Sequence, residues 1–170
     1  MEDMTTRWLD AKEMAAWVRL AALVELLPAV LDSQLRRDSD LTHYEYWVIA
    51  MLSEAPERTL RMSTLAARTN ATLPRLSHVV SRLEARGLVE RFPCPQDARA
   101  VNARLTRAGW QAIGAAAPGH VANVREHVVD ALSREQLGQL ARIADEILDR
   151  LDPDGSMTGE LRAHSPAPAR

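Results

Sequence analysis

Apolar residues recur at steps of three and four along most of the chain, which is the spacing of helices with one buried face. The first such stretch runs from Asp10 to about Arg37 and predicts one long amphipathic helix. Asp10 and Glu13 have the spacing of a capping box, which satisfies backbone N–H groups at a helix start. Pro28 lies inside the stretch and is expected to bend the helix.

Three shorter helices follow in quick succession. Thr42 and Glu45 form a second capping box and predict the next helix. Ser63 is expected to cap a short helix, and residues 70–72 (Asn-Ala-Thr) make a tight break after it. A further helix is then predicted from Leu73 to Arg86.

The period of the pattern changes after Gly87. Residues 88–92 (LVERF) alternate apolar and polar, and residues 101–105 (VNARL) alternate again. The intervening PCPQDARA, residues 93–100, contains two prolines and interrupts the alternation. This pattern predicts a two-stranded hairpin with a long tip.

The C-terminal part returns to helical spacing. Residues 106–132 predict a helix that Thr106 caps and that Pro118-Gly119 should kink. Ser133 and Gln136 form a third capping box for a last helix, which ends near Leu151. Residues 152–170 have turn residues and no period, so a disordered tail is expected.

The order of helix, short helix, turn, helix and hairpin predicts a winged helix-turn-helix, and the fold class is therefore mainly α with a small β-hairpin. The apolar pattern gives each helix of the motif one buried side. The residues on those sides are Leu65, Ala66, Leu76, Val79, Val80 and Leu83.

Composition narrows the class of protein. The chain has 170 residues, 46% of them hydrophobic and 26% charged, and contains a single cysteine. It begins with an acidic, polar stretch, unlike a signal peptide, and we identify no apolar run near the roughly 20 residues that cross a bilayer. We therefore expect a soluble, cytoplasmic protein without membrane contact.

The charge is unevenly distributed. The net charge is −2, yet residues 57–107 contain ten arginines and four acidic residues, a local balance of +6. A basic middle in an acidic frame indicates contact with a polyanion. A solvated helical face explains the same charges equally well, so charge alone does not decide.

The helix from Leu73 to Arg86 offers the chemistry for that contact. A helix fits the major groove, where Arg can donate two hydrogen bonds to guanine and Ser or His can reach base edges or phosphates. Thr72 and the helix N-terminus add backbone donors for a phosphate. The predicted DNA-binding residues of this element are Thr72, Arg75, Ser77, His78, Ser81 and Arg82.

The segment SRLEARGLVERFPCPQDARAVNARLTRAG resembles the recognition helix and wing of the MarR family of bacterial transcription regulators. In that family the helix ends in RLE-x-x-GLV and the wing carries D-x-R, which is the specific part of the match. The resemblance extends over roughly residues 7–151. It implies a homodimeric, winged-helix transcriptional regulator, most simply a repressor, that binds double-stranded DNA at a near-palindromic operator.

The resemblance also assigns roles to single residues. It implies that Arg99, at the wing tip, enters the minor groove and that Asp97 orients it. Arg82 matches a position where the family commonly has a DNA-facing arginine, whereas His78 stands where an arginine is often found. We expect the side chain of His78 to be exposed, since Val79 and Val80 already face the core.

The family's dimerisation elements divide the chain into four parts. These are an N-terminal dimerisation helix (1–40), the winged helix-turn-helix lobe (41–106), the C-terminal dimerisation helices (107–151) and the tail (152–170). The apolar helices outside the lobe, with Trp8, Trp17 and Trp110, carry more apolar surface than a compact winged helix needs. Packing within one chain is the alternative explanation.

Two sensing routes follow from the resemblance, because relatives bind small aromatic anions or act as thiol switches. An effector pocket is predicted at Trp17, His43, Tyr44 and Trp47, although tryptophans at helical spacing are often plain core. Cys94 is the residue for a redox route, with an unreactive loop thiol as the alternative.

Other classes of function have less support. The sequence contains none of the common hydrolase, phosphate-loop or zinc-protease motifs, so we expect no enzyme activity, cofactor or metal. His120 and His127 could share a helix face, but Glu126 does not complete a zinc site with them. A winged helix that docks proteins without specific DNA binding remains the rival interpretation.

Overall fold

The computed structural model describes residues 6–159, apart from the side chain of Ala98. It contains six α-helices, three strands and two short irregular helices within that range. The helices are α1 (Ala11–Ser39), α2 (His43–Glu54), α3 (Met62–Arg68), α4 (Leu73–Ala85), α5 (Arg107–Val124) and α6 (Arg134–Leu151). The strands are β1 (Thr59–Arg61), β2 (Val89–Cys94) and β3 (Asp97–Leu105), and the irregular helices are Pro56–Arg58 and Arg125–Val129.

The three predicted capping boxes all form. In each box the side chain of the cap residue accepts a hydrogen bond from the backbone N–H of the third helical residue. The side chain of that third residue accepts from the backbone N–H of the cap. The cap residues are Asp10, Thr42 and Ser133. Ser63, in contrast, is not a cap. The N-cap of helix α3 is Arg61, two residues earlier, and it makes no side-chain cap bond, because strand β1 runs directly into the helix.

The two prolines predicted to bend or kink helices do not interrupt them. Pro28 lies inside α1, and α5 continues past Pro118 to Val124. Helix α5 was expected to run on to residue 132, but it ends at Val124, and Arg125–Val129 form a π-helical turn before α6. One missing backbone N–H is therefore tolerated in both helices.

The sheet is larger than the predicted hairpin. It has three antiparallel strands in the order β1-β3-β2, and β1 pairs with β3 at Thr59↔Arg104. The wing strands extend further than expected, since Cys94 pairs directly with Asp97 across a two-residue tip. Pro93 lies in β2 at an irregularity in the strand register, between Pro93 and Cys94, and Pro95 lies in the short tip, so there is no long loop here.

The core lies in the winged-helix lobe, between α2, α3, α4 and the base of the sheet. All six positions predicted to be buried are buried. Helix α1 contributes only its last turns, through Leu31, Gln34 and Leu35. The rest of α1 therefore extends away from the lobe.

Helix α5 is joined closely to this core. Thr106 donates from its backbone N–H to the Leu88 carbonyl at 3.1 Å, and its side chain caps the helix at Gly109. A Cβ at Gly109 would lie 2.1 Å from the Leu88 carbonyl oxygen and 2.5 Å from Leu105 Cδ1. Only glycine fits this contact between helix and wing.

The remaining helical surface is apolar and uncovered. No residue of α6 is buried in the described part of the chain, and α1, α5 and α6 expose large hydrophobic side chains. Helix α1 is long and apolar enough, by length and composition, to cross a bilayer. The apolar run is thus longer than the sequence analysis expected. The exposed residues of these helices include Trp17, Val18, Leu23, Val24, Leu26, Trp110, Val121, Leu140, Ile143 and Leu151, and Trp8 is exposed just before α1.

Part of the segment predicted to be a disordered tail has a defined structure. Residues 152–159 form hydrogen-bonded turns in which the Asp152 carboxylate accepts from the Ser156 hydroxyl and from the backbone of Met157 and Thr158. These bonds, led by that from the Thr158 backbone, lower the pKa of Asp152 to about 2. Residues 160–170, the rest of the predicted tail, lie outside the described part.

Candidate nucleic-acid interface

Helix α4 divides cleanly into a buried and a solvent-facing side. Leu76, Val79, Val80 and Leu83 are buried, whereas the side chain of His78 is exposed as predicted. Thr72 caps the helix by accepting from the Arg75 backbone N–H at 3.4 Å. The other predicted DNA-binding residues that are exposed on this helix are Arg75, Ser81 and Arg82, and Thr72 is exposed at its start.

Ser77 is held within the protein. It is partly buried and accepts a hydrogen bond from Arg91 Nη1 at 3.4 Å. The same guanidinium forms an ion pair with Glu84, with Nη2 2.7 Å from Oε2. These bonds to Arg91 lower the pKa of the Glu84 carboxyl below its ordinary value. The Glu84–Arg91 pair connects the recognition helix to the first wing strand.

Arg82 also has a partner inside the protein. Its Nη2 lies 2.9 Å from Oε1 of Glu45, at the start of α2, and the Glu45 side chain is only 7% exposed. Arg82 was expected to face DNA, and no local pattern in the sequence indicated Glu45 as its partner.

The wing holds Asp97 and Arg99 inside β3 rather than in a loop tip. Asp97 Oδ1 accepts from the Arg99 backbone N–H at 3.1 Å, and Oδ2 lies 3.8 Å from Arg61 Nη1. Asp97 therefore fixes the backbone of Arg99, while the guanidinium that it faces belongs to Arg61. The side chain of Arg99 is exposed. Arg61 was missed because its role depends on β1, which the sequence did not predict.

Cys94 is a buried thiol beside this pair. Its Sγ lies 3.2 Å from Oε1 of Gln96. A backbone hydrogen bond from Gln96 and the nearby Arg61 lower the pKa of the thiol, while burial opposes the shift.

A groove of about 700 Å³ lies between α1, α2 and the start of α4. It brings together three of the four predicted effector residues, His43, Tyr44 and Trp47, and also includes Arg75 and Met157. Trp17 is not part of its lining: it lies further along α1 and is 56% exposed.

The groove wall connects to the recognition helix. The guanidinium of Arg75 lies 4.8 Å from the centre of the Tyr44 ring. The Tyr44 hydroxyl donates to Thr69 Oγ1 at 2.9 Å, and Trp47 Nε1 donates to the Arg68 carbonyl at 3.4 Å. Aromatic side chains of α2 are thereby fixed against both helices of the helix-turn-helix.

Two histidines meet behind the groove. The rings of His43 and His120 are 6.2 Å apart between centroids, and Tyr46 lies 4.4 Å from His120. Burial lowers the pKa of both imidazoles. Nδ1 of His120 has no hydrogen-bond partner among the described residues.

His127 lies apart from this pair and bonds to the Asn123 carbonyl. Within residues 6–159, no group of three His, Cys, Asp or Glu side chains has the arrangement of a metal site.

Comparisons with known proteins agree with this geometry. A family model described as the MarR family matches residues 39–100. The structure is similar to that of Sco3205, a MarR family transcriptional regulator from Streptomyces coelicolor in complex with DNA, with 40% sequence identity, a TM-score of 0.84 and coverage of 89% of this chain and 94% of that one.

Two further similarities point the same way. AbsC, another MarR family transcriptional regulator from Streptomyces coelicolor, is 37% identical with a TM-score of 0.82, and the match covers 86% of this chain and 98% of that one. The HTH-type transcriptional repressor YetL of Bacillus subtilis is 22% identical over 140 residues, which cover 77% of this chain and 83% of that protein.

Proposed function

The chain belongs to the MarR family of transcriptional regulators, and from this premise we propose how it binds DNA, as a homodimer on a near-palindromic operator. It is a DNA-binding regulator and not an enzyme. The observation that carries the proposed binding mode is the exposed polar side of α4, set beside the exposed Arg99 of the wing.

The proposed contacts combine two grooves. Helix α4 enters the major groove, where Arg75, His78 and Ser81 face base edges or phosphates. Thr72 and the first turn of α4 hold a phosphate through backbone donors. Arg99 enters the minor groove, with its backbone fixed by Asp97.

The uncovered apolar surface of α1, α5 and α6 supports the dimer. We assign this surface to a second copy rather than to a bilayer, because Arg19 and Glu25 lie in the middle of α1 and charges inside a membrane are costly. A two-fold dimer places its recognition helices about 34–36 Å apart, one turn of DNA. The operator is therefore expected to be a near-palindrome.

We propose a ligand-responsive repressor that works in the cytoplasm. The groove beside Tyr44 supports the ligand response. A small aromatic anion would stack on the α2 aromatics and pair with Arg75, which also stands at the start of the recognition helix. Occupation of the groove would therefore compete with the DNA contact of Arg75. YetL is a named repressor among the relatives, which favours repression over activation.

A selection of bound sequences from random DNA, followed by a salt titration, tests this proposal. Affinity for the selected operator should fall steeply with salt, by a log–log slope of about −0.9 for each phosphate contact. Arg99→Ala should weaken binding by about 1–3 kcal/mol and leave the fold intact. Salt-insensitive or absent DNA binding would refute the proposed function, and unchanged affinity of Arg99→Ala would refute the wing assignment.

A redox response through Cys94 is the second candidate, and the lowered pKa of its thiol favours it. Operator binding is to be measured before and after peroxide in the native protein and in Cys94→Ser. A response in the native protein alone would support a thiol switch. Identical responses in the two proteins would remove it. If the winged helix binds another protein and no specific DNA, the selection from random DNA would enrich no sequence.

A further inference from the structure

We infer that Arg82 positions the recognition helix through the buried carboxylate of Glu45 rather than contacting DNA. This inference rests on the proposed function, since it assigns a role to one residue of the DNA-binding helix. It departs from the role that the family resemblance implies for Arg82.

Both oxygens of Glu45 are engaged. Oε1 lies 2.9 Å from Arg82 Nη2, and Oε2 accepts from the backbone N–H of Thr42 at 2.9 Å. Thr42 in turn accepts from the Glu45 backbone N–H at 3.0 Å. The capping box alone fixes the Glu45 side chain in the first turn of α2. The ion pair with Arg82 therefore holds α4 to a fixed position on α2.

Burial makes this pair different from the other ion pairs of α4. The Glu45 side chain is 7% exposed, so loss of Arg82 removes the cation paired with a largely buried carboxylate and leaves Arg36, which has no direct ion pair with Glu45, as the cation nearby. The neighbouring pair of Arg86 and Asp40 is longer, at 3.6 Å, and the Asp40 side chain is 98% exposed. Water replaces that second pair at little cost, whereas only a small part of the Glu45 side chain is open to water.

The location of the pair gives it influence over DNA binding. Helix α2 follows α1 after only three residues, and Leu41 between them is buried. The Glu45–Arg82 bond therefore ties the last turn of the recognition helix to the junction with the long helix α1. Its loss frees that end of α4 to shift while the outer side chains of the helix remain unchanged.

Arg82→Met, Glu45→Met and the double variant test the inference in the full-length protein. Arg82→Met should weaken operator binding severalfold with an unchanged salt slope, because no phosphate contact is lost. The double variant should recover affinity relative to Arg82→Met, since two apolar side chains of similar length replace the pair and no charge is left buried. It also loses the Glu45 bond to the Thr42 N–H, and Glu45→Met measures the effect of that loss alone. Arg125→Met is the matched control, because Arg125 pairs with Asp130 at an exposed turn remote from α4 and its loss should leave affinity and slope unchanged.

The outcomes separate the alternatives. If Arg82 contacts a phosphate, Arg82→Met lowers the magnitude of the slope by about 0.9 and the double variant stays as weak, which overturns the inference. A lower Tm with unchanged affinity of the folded protein also overturns it, because the pair would then serve stability alone. If a variant unfolds, Glu45→Gln replaces it: it keeps a neutral hydrogen bond to Arg82 and should give an intermediate affinity. Failure of the native protein to bind DNA would instead refute the proposed function.

Discussion

Gly109→Ala is expected to destabilise the protein by forcing helix α5 away from the wing. The added Cβ would lie 2.1 Å from the Leu88 carbonyl oxygen and 2.5 Å from Leu105 Cδ1, far inside van der Waals contact. The Leu105 side chain can rotate, but the Leu88 carbonyl is backbone and accepts from the Thr106 N–H at 3.1 Å. The helix itself must therefore move.

Overpacking of this kind costs about 1–3 kcal/mol of the free energy of unfolding. For a domain of this size, 1 kcal/mol corresponds to about 2–4 °C, so the Tm should fall by about 2–12 °C. Gly114→Ala is the matched control on the same helix, because a Cβ there meets nothing within 4 Å. It should stabilise the helix by up to about 1 kcal/mol through propensity alone.

Thermal and urea unfolding followed by circular dichroism, at one fixed protein concentration, measures both variants. The two substitutions share their chemistry and differ in surroundings, so opposite signs are the expected result. A Gly109→Ala variant as stable as the native protein would show that the close contact between α5 and the wing does not exist.

Three further predictions concern pH, assembly and ligand binding. Because burial lowers the pKa of His43 and His120, unfolding takes up protons as pH falls below about 6.5, the ordinary value. The free energy of unfolding should therefore be fully retained above that pH and decline below it, and His120→Gln should flatten the decline; an equally steep decline in the variant would contradict this. Ile143→Asp, on the uncovered face of α6, should shift the proposed dimer to monomer in sedimentation, and an unchanged sedimentation coefficient would place the interface elsewhere. Benzoate should change the fluorescence of Trp47 in the native protein and less so in Arg75→Met; equal responses would remove Arg75 from the ligand site.

Most features that local sequence controls were predicted correctly, the cap at Ser63 being an exception. A capping box is written within four residues, so the starts of α1, α2 and α6 follow from the sequence alone. The buried side of α4 follows equally from its helical period. The general position of the recognition helix and wing came from the same local patterns together with the family resemblance.

The features that depend on residues distant in the sequence were not predicted. Strand β1 is three residues long and exists because β3 pairs with it, so its own pattern carries no signal. Arg61 and Glu45 became partners of the DNA-binding elements only once the chain had folded. Trp17 illustrates the converse error: its place in the first helix was predicted correctly, but its distance along α1 from the groove was not visible in the sequence.

Helix α1 gives the molecule a mechanical property that follows from its length. It runs unbroken over 29 residues, which at about 1.5 Å per residue is a rod of roughly 44 Å. Its last turns are buried in the lobe through Leu31 and Leu35, and its other end lies in the uncovered apolar surface that we assign to the dimer, so the rod would act as a lever between the lobe and that interface. A tilt of about 5° at one end displaces the other by about 4 Å, a third of the width of a major groove of about 12 Å. An angular change too small to disturb any single contact could therefore carry a recognition helix out of register with its half-site.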